Sequence, residues 1–432
     1  CRFNNCRSFP SCCIGDLQLW NEGTRSQDLE ILRASFRKFF NCLNPHYLCL
    51  HEPYFNSRFE SYLAEDPVAS DNVDSRQFVA LVSLIVAVIK ILEEYCVDSK
   101  TVPGWKEFSR AEHLLSHTTW LGRGNLLTIQ CLILKTIYFL FIERQNAAYD
   151  AISTAVRLTY QIGLHDQTSW LNSSSFDVTM RQRIFWCLYC LDRNVALVCG
   201  VPFLIRESNF KVDLPHSMDG TDVLISQPSS DPDSSSIPYL HRTIKWAKLC
   251  SEIWDTMFGM NASNLTNQEF VATMDARIML LVHDLPPDLQ WTPTYLDSAD
   301  IRRYPLYVLR QAVVIHLRTN HLRLLLRRKE MLNLKYHPRE AEACVAITTS
   351  SIDAIHAFHT SPFHQRTDRY SSVIYLSGAI IPLTCIIIKD DNDTGNDLRL
   401  RAGRAFRKAL SLLQEIAPGY TFARRVLMQL RR

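Results

Sequence analysis

Four groups of residues have side chains and spacings that could support chemistry. Asp390, Asp391 and Asp393 form a carboxylate cluster of the kind that holds Mg²⁺ against a diphosphate. His113 and His117 stand four apart, on one face of a helix, a spacing open to a metal ion. Cys187-Leu-Tyr-Cys190 is a CxxC pair, which by spacing alone suits half a zinc site or a redox pair. Asp192 and Arg193 set opposite charges side by side in a run that is otherwise apolar and aromatic.

Each group also has a plainer reading. The acidic run 390–397 lies among loop formers, with no second metal motif to complete it. As a calcium loop it places its glycine one position early and has no Glu at the twelfth. A solvated acidic loop is expected there. Leu114, not Glu, follows His113, and no third ligand is near, so an ordinary polar face is expected. The CxxC has no second pair and does not follow a strand, so its thiols are expected to be buried. No phosphate loop, dinucleotide fingerprint or nucleophile elbow is present, and Gly122-Arg-Gly124 lacks a third glycine. Asp192 and Arg193 must be paired if buried, with neighbouring groups or with Arg181 and Arg183. A buried structural network is expected of them, because no nucleophile stands beside a base. No catalytic residue, metal ligand or cofactor site is assigned to these residues.

The elements that position these groups read as helices. Apolar residues recur at threes and fours over Asp28–Asn44, Gln77–Tyr95, Trp105–His117, Leu126–Glu143, Ala147–Ile162 and Met180–Val198. The pattern resumes over Leu240–Phe258, Asn267–His283, Pro305–Asn333, Arg339–Phe358, Ser371–Ile388, Leu398–Leu413 and Tyr420–Arg432. Ala148, Ala151 and Ala155 share one stripe that would let a neighbouring helix approach closely. Gly163 stands where a helix needs a left-handed cap. No window alternates apolar and polar residues for long, so the fold class is all-α. The Ser-, Asp- and Pro-rich stretch 216–238 reads as an exposed loop. Length alone suggests about two to three domains. Continuous helices with no other clear linker favour one large domain over 28–432, behind an irregular Cys-rich tail at 1–27.

Composition narrows the classes further. The 432 residues carry 47 Lys and Arg against 44 Asp and Glu, a net charge of +3, and 47% are hydrophobic. That balance suits a globular core and excludes a disordered chain. It also lacks the basic excess of a domain that grips nucleic acid by itself. The basic run Arg399–Lys408 reads as a charged outer helix face. Beyond residue 13 the cysteines are scattered through apolar segments, as buried thiols are. The apolar stretches Phe78–Ile89 and Val373–Ile388 are read as core helices, being short for a membrane span. The chain opens on Cys1 and not on Met, so it is expected to be a fragment, a processed chain or an incomplete gene prediction.

One ordered set of motifs stands out. It runs Gly163-Leu164-His165-Asp166, then Arg181-x-Arg183-x-x-Trp186-x-x-Tyr189-x-x-Asp192-Arg193, then Gly200-Val201-Pro202, then Asp213-Leu214-Pro215. This set resembles the middle homology region of fungal-specific transcription factors, the regulatory domain found downstream of a six-cysteine zinc cluster. The flanks Pro45-His46-Tyr47 to Phe55, Leu285-Pro286 to Trp291 and His316–Met331 are similar too, so the resemblance covers nearly the whole chain from about residue 30. Two positions depart from the family pattern: Asp166 directly follows His165, and Val201 replaces an Arg. Cys1, Cys6, Cys12 and Cys13 do not have the spacing of the zinc cluster. The resemblance implies a nuclear regulatory domain that modulates transcription, with zinc and DNA contact supplied only by a missing N-terminal part. It also implies a small-molecule effector in a mixed apolar pocket among the central helices, homodimer or co-regulator partners, and no membrane. Two other readings stand beside it: an all-α Mg²⁺-dependent isoprenoid-type enzyme using the Asp390 cluster, and a stand-alone regulator that dimerises with intact factors and blocks them.

Overall fold

The computed structural model describes residues 26–64, 73–93, 102–120, 122–216, 232–259, 268–296, 305–364, 367–389, 396–419 and 421–430. Fifteen α-helices and a few 3-10 turns account for the regular structure among the described residues, with no strand or sheet. In chain order they are α1 (Ser26–Cys42), α2 (Asn44–Tyr47), α3 (Glu52–Ala64), α4 (Val73–Glu93), α5 (Trp105–Trp120), α6 (Leu126–Phe141), α7 (Gln145–Gln161) and α8 (Ser175–Cys199). There follow α9 (Pro232–Met257), α10 (Gln268–His283), α11 (Leu306–Leu332), α12 (Pro338–Thr360), α13 (Thr367–Ile388), α14 (Asn396–Ile416) and α15 (Thr421–Leu430). The all-α class read from periodicity is the one observed.

Apolar side chains bury on two main cores. The first gathers α1 to α10, with α4 packed on α5 and α6, and α7 on α6 and α8. Ala148, Ala151 and Ala155 are buried along α7, whose partners are α6 and α8, the close approach that small side chains permit. The second core is made by α11 to α15, with α13 between α12 and α14. Helix α11 serves both. Leu322, Leu325 and Leu326 complete the first core, while Leu309, Val313, Leu317 and Leu324 belong to the second. A helix apolar on opposite faces is stable only when covered on both.

Several boundaries differ from expectation. The stretch 216–238 is not a loop to its end: α9 starts at Pro232, and residues 217–231 lie outside the described residues. Ser236, Ile237, Tyr239 and Leu240 are buried, so packing carries the helix through a polar run, and Pro232 fits a first turn that needs no N–H. The tail 1–27 falls outside the described residues as far as residue 25, and α1 begins at Ser26. Of the acidic loop 390–397, residues 390–395 lie outside the described residues, Asp390, Asp391 and Asp393 among them. Asn396 and Asp397 open α14. The two apolar helices are longer than their apolar stretches, each with a 21-residue run long and apolar enough to cross a membrane. Burial tells more than length here: 83% of the apolar window in α4 and 50% of that in α13 is buried inside the protein.

A glycine fixes the entry to α5. Gly104 has φ +70°, and a Cβ there would lie 2.4 Å from the Ala87 carbonyl oxygen of α4. Only a residue without a side chain lets these two backbones approach so closely.

Candidate functional site: a buried network and a central cavity

The motif residues converge on α8 and the turns at either side of it. Helix α7 ends on Gly163, at φ +71°, where the Leu164 N–H donates to Thr159 O (3.0 Å) and the Gly163 N–H to Tyr160 O (3.3 Å). This is the left-handed cap expected of that glycine. Leu164 then enters the core, and the His165 ring packs edge-on against Tyr160 at 4.9 Å. Asp166 caps a 3-10 turn by accepting from the Thr168 hydroxyl (2.6 Å) and the Thr168 N–H (3.1 Å). Those bonds hold its carboxyl below the usual carboxylate range. The turn is tied to the far end of the motif, since Lys211 N–H donates to His165 O (2.8 Å) and Gln167 N–H to Lys211 O (2.9 Å). The Trp170 indole closes the loop on Gly163 O at 3.0 Å, and the Arg181 guanidinium lies 5.7 Å above the Trp170 ring.

The inner face of α8 then grips three separate segments. Arg183, 1% exposed, donates to the carbonyls of Leu48 (3.1 Å) and Leu50 (2.9 Å). The Trp186 indole donates to Asp213 O at 2.8 Å. The Tyr189 hydroxyl donates to Glu207, and its ring lies 3.5 Å from the Arg193 guanidinium carbon. Asp192 is fully buried and accepts from the N–H groups of Leu204 (3.1 Å) and Ile205 (3.0 Å). Arg193 donates to Asp192 (3.1 Å), Ile205 O (2.7 Å), Ser251 Oγ (3.0 Å) and Glu207 (3.3 Å). Burial pushes the Asp192 carboxyl upward and the Arg193 charge opposes that. Gly200, at φ +69°, turns the chain out of α8, and Pro202 O accepts from Tyr149 at 3.4 Å. Asp213 accepts from Gln167 at 3.0 Å, and Pro215 O meets the His241 ring at 2.7 Å.

The pairing differs from expectation in one respect. Arg181 and Arg183 do not partner Asp192; both point away from it, to Trp170 and to the 48–50 carbonyls. Sequence reading also missed Gln167, Glu207 and Ser251, which complete the network from positions with no motif around them. In this network Arg183, Asp192 and Arg193 hold backbone while Glu207 holds Tyr189 and Arg193, and no nucleophile stands beside a base. The Cys187 and Cys190 thiols are buried, and burial raises both, Cys190 to about 12. Among the described residues no group of three or more His, Cys, Asp or Glu could hold a metal ion. The side chain of His117 lies outside the described residues.

The helices also leave a cavity of about 90 Å³ where α1, α2, α6, α8, α9, α11, α12 and α13 converge. Sequence reading expected a mixed pocket among the central helices but gave it no position.

The profile of the fungal specific transcription factor domain matches residues 37–292. The ABC-transporter-regulating transcription factor of Aspergillus oryzae is 24% identical over 243 residues, 55% of this chain and 26% of that protein. The activatory protein CHA4 of Saccharomyces cerevisiae is 27% identical over 285 residues, 61% of this chain and 42% of that protein. The transcriptional activator protein acu-15 of Neurospora crassa is 20% identical over 261 residues, 58% of this chain and 26% of that protein. The chain thus spans between 26% and 42% of the length of these relatives.

Proposed function

The chain belongs to the fungal specific transcription factor domain family, and from that premise we propose that it is the regulatory part of a fungal transcription factor working in the nucleus. The observation that carries this reading is the network on α8. Its charged and aromatic residues bind backbone at Leu48–Leu50, Ile205 and Asp213, so they build a stable frame and present no reactive group. The near-neutral charge fits a part that does not itself grip DNA. DNA contact and the zinc that supports it belong, in this proposal, to a segment outside these residues.

The chain in this reading catalyses no reaction. The isoprenoid-type alternative needs Asp390, Asp391 and Asp393, which lie outside the described residues, and no feature of the buried network assists it. Release of diphosphate from a prenyl diphosphate by the purified chain with Mg²⁺ would establish that alternative.

The regulatory reading is tested by fusing the chain to an unrelated DNA-binding module upstream of a reporter gene. The fusion is expected to change reporter output relative to the module alone, and Asp192→Ala is expected to abolish the change. Output equal to that of the bare module would sink the proposal. If the chain blocks an intact factor instead, it will co-purify with a zinc-cluster protein and lower that protein's reporter output.

A further inference from the structure

The central cavity has the chemistry of a ligand site. Its volume of about 90 Å³ exceeds what a single water needs, roughly 10–15 Å³ on the same measure, so several waters or one small organic molecule fit. Leu43, between α1 and α2, and Phe141, Val313 and Phe358, on three further helices, supply apolar wall. Arg310, Arg318, Asp368 and Tyr370 supply the polar wall.

The polar wall is incomplete. Arg310 is 3% exposed, its Nε lies 3.1 Å from an Asp368 carboxylate oxygen, yet none of its three nitrogens makes an aligned hydrogen bond. Arg318 Nε and the Tyr370 hydroxyl are also buried without a hydrogen-bond partner. The rest of Arg318 is held by uncharged groups, the Tyr239 hydroxyl at 3.3 Å, Thr243 Oγ1 at 3.4 Å, the Tyr375 hydroxyl and the Trp246 ring at 5.2 Å. His46 lines the same space and adds no charge: burial first, then Arg310 and Arg318, lower its pKa to about 3. Two guanidiniums therefore face one carboxylate. Buried polar groups in native proteins are nearly always satisfied, and buried charges are paired. Water could accept the stray N–H groups but could not balance the charge. A carboxylate does both, through the parallel hydrogen bonds that a guanidinium makes with it.

We propose that the cavity binds a small organic monocarboxylate, its carboxylate on Arg310 and its apolar body against Phe141, Val313 and Phe358. The inference deepens the regulatory reading and rests on it for its consequence. The walls come from both cores and from α11 between them, so an occupant ties the two halves together. Ligand binding would thereby shift whatever equilibrium exists between their packings.

The test uses the full chain, with benzoate and phenylacetate as probes and benzamide and phenylacetamide as their uncharged counterparts, in isothermal titration and thermal unfolding. At least one carboxylate is expected to bind one-to-one and raise the unfolding temperature, with its amide weaker by about tenfold or more. Arg310→Met is expected to remove binding, and Val313→Phe, which fills the cavity and keeps Arg310, to do the same. Arg404→Gln, on the exposed face of α14, is expected to leave binding unchanged. Equal binding of acids and amides, binding that survives Arg310→Met, a preference for inorganic phosphate, or no binding by either acid would each overturn the proposal. The acid–amide comparison on the unaltered chain decides the matter even if both variants fail to fold. These readouts need no promoter. A chain that binds no acid but still controls a reporter loses only the ligand; one that binds acid and controls nothing loses the regulatory role.

Discussion

The Asp192 carboxylate and the Arg193 guanidinium meet at 3.1 Å although the two residues are consecutive on one helix. Neighbours on a helix point about 100° apart and do not normally face each other. They meet here because both reach the same residue of the exit segment. Asp192 accepts the Ile205 N–H at 3.0 Å, and Arg193 donates to the Ile205 carbonyl at 2.7 Å. One peptide segment is thus held by its donor and its acceptor from two adjacent side chains.

That arrangement makes each charge dependent on the other. Asp192→Ala leaves the buried Arg193 guanidinium only the half-exposed Glu207 as counter-charge and the Leu204 and Ile205 N–H groups unpaired, so a loss of about 3–5 kcal/mol is expected. Arg193→Met should cost a similar amount, and the double variant less than the sum of the two. Urea unfolding of the four proteins measures the coupling, and strict additivity would show that the pair does not act as a unit.

Two glycines share a backbone conformation and differ in surroundings. Gly104 and Gly200 have φ +70° and +69°, but a Cβ at Gly104 meets the Ala87 carbonyl oxygen at 2.4 Å while one at Gly200 meets nothing within 4 Å. Gly200→Ala is expected to cost about 1–2 kcal/mol, the left-handed penalty alone. Gly104→Ala should cost clearly more, since α4 or the turn before α5 must move. Equal unfolding midpoints for the two variants would contradict the close approach.

Acid should weaken the fold early. Burial lowers the pKa of His316 and of His364 to about 4. Their folded-state values thus lie below the ordinary 6.5, so the unfolded chain binds protons first as the pH falls. Stability is full above about pH 6.5 and declines from there toward pH 4. The His316 ring meets Ser350 Oγ at 3.0 Å and the Asn320 amide at 3.1 Å, contacts that suit a neutral ring. Unfolding temperatures from pH 7.5 to 4.5 should fall, and His316→Gln should make the fall shallower. A flat profile in the unaltered chain would count against it.

The thiols give a chemical check on the packing. Cys190, Cys250 and Cys344 are buried, and burial raises each to about 12. Iodoacetamide attacks thiolate, so mass spectrometry after native alkylation should find these three unmodified. All three should be modified in urea. Rapid native labelling of Cys190 would mean that the CxxC is a reactive pair after all.

Helices were legible in the residues because burial leaves a periodic mark. The Ala148–Ala151–Ala155 stripe and the Gly163 cap both read directly from spacing. The motif order around Trp186, Tyr189 and Asp192 pointed to the network because its members sit on one helix and its immediate turns. The start of α9 was hidden, since Ser and Asp around Pro232 read as loop and only the burial of Ile237 and Tyr239 shows otherwise. The cavity was hidden for a different reason. Arg310 and Asp368 are 58 residues apart and lie on separate helices, and neither has a local pattern that marks it. Only the folding of α13 against α11 makes them neighbours.

Helix α11 has a practical corollary. The family profile stops at residue 292, ahead of this helix, yet Leu322, Leu325 and Leu326 roof the core that the profile describes. A fragment trimmed to the profile would expose that seam to chaperones and proteases. A piece worth expressing therefore includes α11, and with it the helices α12 to α15 that cover its other face.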